Sequence, residues 1–220
     1  MFSYYGSKSK IVRYYPKPEY DSIIEPFAGS ARYSLMYPDH EVTLCDLDHT
    51  IYSIWSWLIN DASLSDIDRL PDLNVGDDIR DIKYLSQVER WFLGFAVSMG
   101  VAKPCNIVTK RSEHEITRLK KRTINYLPKI KHWIIKNQSF EELDNQESTW
   151  FVDPPYINGG QYYRHSQIDY SLLCEWCKER KGQTIVCEND GAVWLPFTPL
   201  KPMQGMRHKK TEMIWSHTSI

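Results

Sequence analysis

Apolar residues along this chain fall into short continuous runs separated by longer stretches at helical spacing. The runs Ser22 to Glu25, Glu41 to Cys45, Trp133 to Lys136, Trp150 to Val152, Thr184 to Cys187 and Thr211 to Trp215 read as strands, most of them buried on both faces. Between them, Ile51, Ile54, Trp55 and Leu58 share one helical face, as do Ile116, Leu119 and Ile124, and again Leu172, Leu173 and Trp176. Ser86 followed three positions later by Glu89, just ahead of Trp91-Phe92-Leu93, predicts a capped helix start. A further helix is predicted from the small-residue turn Pro26 to Ala31 through Tyr33, Leu35 and Met36 to Pro38, and Trp194 to Phe197 reads as a short helical or turn element. Strands alternating with helices predict an α/β fold with a doubly wound, mostly parallel sheet. A mainly helical insertion interrupts it, so residues 1–60 and 132–220 are expected to form one unit and residues 61–131 the insert.

The stretch Trp150-Phe151-Val152-Asp153-Pro154-Pro155-Tyr156 concentrates the chemistry. The strand must stop at Asp153, because the two prolines carry no ladder donor and hold the residue before them extended. A carboxylate, a proline carbonyl and an aromatic face then lie side by side. That set suits a flat ligand carrying an amino group, such as a nucleobase; the plain alternative is a Pro-rich turn leaving a core strand. Gly159-Gly160 with Tyr162, Tyr163 and Arg164 beyond it reads as a lid over Asp153. Upstream, Glu25-Pro26-Phe27-Ala28-Gly29-Ser30 is a strand end passing into a turn of small residues, where a backbone can approach a ligand closely. With Gly29 its only glycine, the turn does not match a pyrophosphate cradle. Asp46, at the end of the second strand, stands where such sheets bond ribose hydroxyls, while Asp48 is expected to cap the next helix.

Charge and composition narrow the class. Hydrophobic residues make up 42% of the 220 and charged ones 25%, which excludes a disordered or fibrous chain. No apolar run approaches the roughly 20 residues of a membrane span, and the start Met1-Phe2-Ser3-Tyr4-Tyr5-Gly6 lacks a signal-peptide core, so a cytoplasmic location is expected. The five cysteines suit reduced thiols. Cys174 and Cys177 read as two small apolar residues one helical turn apart, and no second ligand pair makes them a zinc site, so no metal is expected. A net charge of −1 gives no overall bias toward nucleic acid, but Lys103 to His132 carries nine lysines and arginines against only Glu113 and Glu115. Within that basic segment Lys110, Arg111, Arg118, Lys120, Lys121 and Arg122 are the candidate phosphate contacts, a solvated helix face being the alternative.

Taken in order, these stretches resemble the Dam-type DNA adenine-N6 methyltransferase family. Tyr4-Tyr5-Gly6-Ser7-Lys8 resembles its N-terminal aromatic-x-Gly-Gly-Lys motif, with Ser7 in place of the second glycine, and Glu25 to Ser30 resembles its Glu-Pro-Phe-x-Gly-Gly/Ser motif. Asp46 falls on the acid of its Asp-x-Asn motif, with Asp48 in place of asparagine, and Asp153-Pro154-Pro155-Tyr156 matches its catalytic motif intact. The resemblance implies a methyltransferase-type sheet, S-adenosylmethionine as cofactor, double-stranded DNA as substrate and the insert as target-recognition region, with a restriction endonuclease as a conceivable counterpart. It implies that Tyr4, Lys8, Glu25, Pro26, Phe27, Gly29, Asp46, Ser139, Phe140 and Asp153 form the cofactor site, and that Asp153, Pro154, Pro155 and Tyr156 act on the target base. A cytosine-N4 or RNA-base acceptor and an inactive cofactor- or DNA-binding protein remain as alternative readings. No familiar recognition-loop sequence stands in the insert.

Overall fold

A computed structural model describes residues 1–98, 100–200 and 211–219. Seven strands form one sheet in the order β3-β2-β1-β4-β5-β7-β6. They are β1 (Ser22–Glu25), β2 (Glu41–Cys45), β3 (Ile134–Lys136), β4 (Ser148–Val152), β5 (Gly182–Asn189), β6 (Thr198–Pro199) and β7 (Glu212–Ser219). The first five are parallel; β7 runs antiparallel to both β5 and β6. The expected doubly wound, mostly parallel sheet is therefore present, and all five positions of the central β4 are buried.

Alternate residues of the central strands feed two cores. Ile23, Phe151 and Ile185 face one side, where they meet Phe2, Tyr33, α1 (His49–Ser56) and the helices α3 (Gln87–Val97) and α4 (Glu115–Tyr126). Ile24, Trp150, Val152 and Val186 face the other, against Phe140 and α5 (Tyr170–Lys178). Period-two burial on both faces of parallel strands is what places helices on each side of the sheet. Tyr33 lies flat on Phe151, with centroids 4.2 Å apart and planes at 4°.

Helix boundaries follow local chemistry. Asp48 caps α1 by accepting the Thr50 N–H, and Ser86 and Glu89 close the expected capping box at α3. Between them, the short α2 (Leu64–Asp68) opens on a Ser63–Asp66 capping box. Asp169 caps α5, in which Cys174 and Cys177 are buried free thiols. The helix expected after the Pro26 to Ala31 turn, through Tyr33, Leu35 and Met36 to Pro38, is the exception: only a single 3-10 turn, Ser34–Met36, forms. Ala31 takes a left-handed φ of +45°, which a continuous helix does not allow, and the Glu25 carboxylate accepts the Ser34 N–H that an earlier helical carbonyl would have taken. The insert does not build a separate core. Phe92, Phe95 and Leu119 join Phe2 and Trp55 in one cluster, with the Phe2 and Phe95 rings stacked at 5.3 Å.

Candidate active site

The strand order reverses between β1 and β4, and a crevice opens at the C-terminal ends of these strands. It holds a cavity of about 360 Å³. Tyr4, Lys8, Glu25, Pro26, Phe27, Gly29, Asp46, Ser139, Phe140 and Asp153 all line it, so every residue expected at a cofactor site is brought to one place. The Phe27 and Phe140 rings stand 5.6 Å apart as one wall. Ser139 caps the turn that presents Phe140.

Asp46 fixes the turn after β1. Its two carboxylate oxygens accept the N–H groups of Gly29 and Asp48, each at 2.9 Å, while the Trp55 indole donates to the Gly29 carbonyl at 2.8 Å. Gly29 has a φ of +46°, and a Cβ there would stand 3.1 Å from the Tyr4 ring. Both the φ and the close approach favour glycine. Burial pushes the Asp46 carboxyl up to about 7 against the pull of those two amides. It pushes Glu25 up to about 8, the Ser34 hydrogen bonds opposing.

Asp153 stands at the far end of this cavity and also lines a second, open groove of about 820 Å³ together with Pro154 and Tyr156. The Lys8 ammonium lies 2.9 Å from the Asp153 carboxylate, 3.6 Å from Glu212 and 3.2 Å from the Gly6 carbonyl, and sits 4.3 Å from the centre of the Tyr156 ring. Burial would lower the Lys8 pKa, but Asp153 and Glu212 outweigh it and hold the ammonium above the ordinary lysine value. Burial raises Asp153, with Lys8 pulling it down and Glu212 pushing it up. The hydroxyls of Tyr156 and Tyr15 both donate to the same Glu212 oxygen at 2.6 Å.

The loop beyond Asp153 is anchored from outside the motif. Tyr170 donates to the Pro155 carbonyl, the buried Glu188 accepts from Trp194 at 3.1 Å and Ile157 at 3.4 Å, and Asn189 donates to the Asn158 carbonyl. Among the described residues no donor reaches the Pro154 carbonyl, which stays free for a ligand. The lid reading also has its geometry. From the left-handed Gly159 the chain returns so that Tyr163 donates to the Tyr5 carbonyl at 2.9 Å and Arg164 to the Thr50 hydroxyl at 3.0 Å, beside Asp48.

The basic candidates separate. Arg111, Arg118 and Arg122 line the open groove, whereas Lys110 and Lys121 are exposed outside it. Lys120 points away: its ammonium donates to the Leu70 carbonyl at 2.7 Å and lies 3.6 Å from Asp72. Arg122 is partly spent on Glu115 and the Met1 carbonyl. Sequence reasoning did not single out Glu212, Tyr15, Glu188 or Arg32, the last bonded to Ser7 and the Phe2 carbonyl at the junction of both cavities. A lone acid opening the apolar run of β7 was the one available signal for Glu212.

Comparison with known proteins agrees with the motif reading. Residues 4–92, the stretch that holds the Tyr4 to Lys8 and Glu25 to Ser30 motifs, match the family model of the D12 class N6 adenine-specific DNA methyltransferases. The Asp153 motif lies outside the matched residues. No curated protein matches the sequence. Similar solved structures include a conserved hypothetical protein of Streptococcus pyogenes, 8% identical, covering 88% of this chain and 84% of its own at a TM-score of 0.37. A provisionally assigned methylase of Haemophilus influenzae is 16% identical over 90% of this chain and 87% of its own, at a TM-score of 0.38. A provisionally assigned methyltransferase of Escherichia coli is 8% identical over 97% and 81%, at 0.39. Among the described residues no helix is long and apolar enough to cross a membrane, and no His, Cys, Asp and Glu side chains gather as a metal cluster.

Proposed function

We propose that this chain transfers a methyl group from S-adenosylmethionine to the exocyclic N6 of an adenine in double-stranded DNA. The observation that carries the reading is the position of Asp153, which lines both the smaller cavity and the larger groove. A transferase needs such a junction, where a bound donor and an incoming acceptor meet across one side chain.

The cavity suits the cofactor. Glu25, Asp46 and Asp153 give it an acidic lining for a cationic molecule with ribose hydroxyls, and Phe27 and Phe140 give it a wall for a flat ring. S-adenosylmethionine, when bound, supplies a methyl already activated by the positive sulfur. This chain's own task is then alignment, which can be worth roughly 7–11 kcal/mol of a barrier.

The amino nitrogen of adenine is a poor nucleophile, because its lone pair is delocalised into the ring. In the groove, the Asp153 carboxylate and the Pro154 carbonyl accept its two N–H bonds, which localises the lone pair and opposes the positive charge that develops on nitrogen. The released proton passes to the Asp153 carboxylate. Lys8 holds that carboxylate in place, and Tyr156 offers the base a stacking face worth about 1–3 kcal/mol once it has left the duplex. Residues 61–131, through Arg111, Arg118 and Arg122, serve as the region that holds the DNA backbone.

The test incubates the protein with radiolabelled S-adenosylmethionine and unmodified duplex DNA, then separates the digested nucleosides. Label in N6-methyladenine is expected. Because the two acceptors recognise an amino group rather than adenine as such, label in cytosine would move the acceptor to cytosine N4. No label on DNA or RNA overturns the reading.

A further inference from the structure

We propose that Glu212, the first residue of β7, is the positioning residue of this site: it anchors the hydroxyl end of Tyr156 and shares the charge of Lys8, so that the Asp153 carboxylate is left a strong acceptor toward the target base. The inference rests on the methyltransferase reading above and goes beyond it to a residue outside every motif that supports that reading.

Glu212 is placed by register. In the antiparallel pairing of β5 with β7 it stands opposite Asn189, and its backbone carbonyl accepts the Leu200 N–H, which brings its carboxylate into the groove that Asp153 also lines. One of its oxygens takes two phenols, Tyr156 and Tyr15, each at 2.6 Å. Tyr15 is itself wedged against Phe151, with centroids 5.1 Å apart, so the second phenol ties the carboxylate to the rigid core. A phenol held at its hydroxyl cannot swing about its Cα–Cβ bond, so Tyr156 keeps its place beside Asp153. Lys8 occupies one face of the Tyr156 ring, so the ring and the ammonium are held together beside Asp153.

The charge account gives Glu212 its second role. Lys8 carries one positive charge between two carboxylates, Asp153 at 2.9 Å and Glu212 at 3.6 Å. With Glu212 present, Lys8 does not neutralise Asp153 alone, and the cluster keeps one net negative charge facing the amino group. Without it, the whole ammonium would fall to Asp153 and weaken it as an acceptor. The other titratable groups acting on Asp153 are few. Tyr156 faces it directly; Glu25 from β1, Glu188 and Cys187 from β5, Tyr163 from the lid and Tyr15 act at longer range.

The experiment compares the parent with Glu212→Gln, which keeps an oxygen for both phenols but removes the charge, and with Tyr15→Phe, which keeps the charge but removes one tether. Methyl transfer to duplex DNA is followed from pH 5 to 9, and the Asp153 carboxyl is titrated directly by carbon NMR in the protein without cofactor. Glu212→Gln is expected to lower kcat at least 10-fold, to change KM for S-adenosylmethionine less than 3-fold, and to move both the acid limb of the rate profile and the Asp153 titration to lower pH. The direction follows because the removed carboxylate is the group that pushes the Asp153 proton affinity up. Tyr15→Phe is expected to lower kcat a few-fold and leave the acid limb in place. An unmoved Asp153 titration, or a kcat within 2-fold of the parent, overturns the proposal. The two readings fail separately: an inactive parent sinks the proposed function, whereas an active parent with an indifferent Glu212→Gln sinks this one alone.

Discussion

The smaller cavity and the larger groove share Asp153 and differ in how their polar groups are held. In the cavity, polar groups are held by the backbone: each Asp46 oxygen accepts one amide N–H, Glu25 accepts the Ser34 N–H, and the Phe27 and Phe140 rings form one wall. In the groove, Arg111 and Arg118 project from a helical surface, and Arg118 keeps 64% of its side chain exposed although it lies 3.7 Å from Glu115. On the proposed function, the cavity is a preorganised site for one small molecule and the groove a field for a large anion, where flexible charges find phosphates after the first encounter.

The sharpest way to break this contrast is at the residue the two regions share. Asp153→Asn should reduce methyl transfer at least about 100-fold, the usual cost of removing a group that stabilises developing charge. Circular dichroism should show the fold intact, and substantial turnover would mean the junction is not where chemistry occurs.

Next is the pH response of the cavity, which the groove should not share. Folding raises Asp46 from 3.8 to about 7 and Glu25 from 4.5 to about 8, so the folded chain binds more protons than the unfolded one across that window. Their contribution to stability is fully present below the unfolded values and is lost as pH rises through the folded ones. The thermal midpoint of the free protein should therefore fall between pH 5.5 and 8.5, by the equivalent of a few kcal/mol at most. Asp46→Asn should flatten part of that slope. A midpoint that rises over the same range would contradict the buried-carboxyl account.

A smaller effect separates the basic residues. Arg111→Gln with Arg118→Gln should weaken duplex binding roughly 10-fold at low salt and lower the slope of log affinity against log salt by about one unit for each phosphate no longer neutralised. The smallest is expected of Lys120→Gln. Its ammonium already serves the Leu70 carbonyl, so DNA binding should be unchanged while stability falls by about 1 kcal/mol, measured by denaturant titration. Equal effects of Lys120 and Arg118 on the salt slope would restore the whole helix as the DNA-facing surface.

This division also marks what the sequence could convey. The strand runs and the Asp48 and Ser86 caps are legible because each depends on near neighbours in the chain, whereas the cavity lining follows as a set only from the family resemblance. The helix expected after Gly29 was misread because the deciding facts, a left-handed Ala31 and a carboxylate from the preceding strand, leave no periodic signature. In the basic segment, helical spacing located the charges but could not say which carbonyl or carboxylate had already claimed them. Lys120 and Arg118 look alike in sequence and differ in their partners. Glu212 was invisible for the same reason, since its meaning lies in Tyr15 and Tyr156, which join it only through the sheet.

The antiparallel insertion of β7 between β5 and β6 has a temporal side. Tyr15 and Glu212 meet across 197 positions of sequence, and Lys8 reaches the same carboxylate from still farther off. Pairings of such span form late, because loop closure must be won before they return anything. A chain refolding from denaturant, or emerging from a ribosome, would thus own its parallel sheet and its helices some time before it owned a working pocket. During refolding, helical signal should recover first and methyl-transfer competence last, with the docking of one strand as the clock between them.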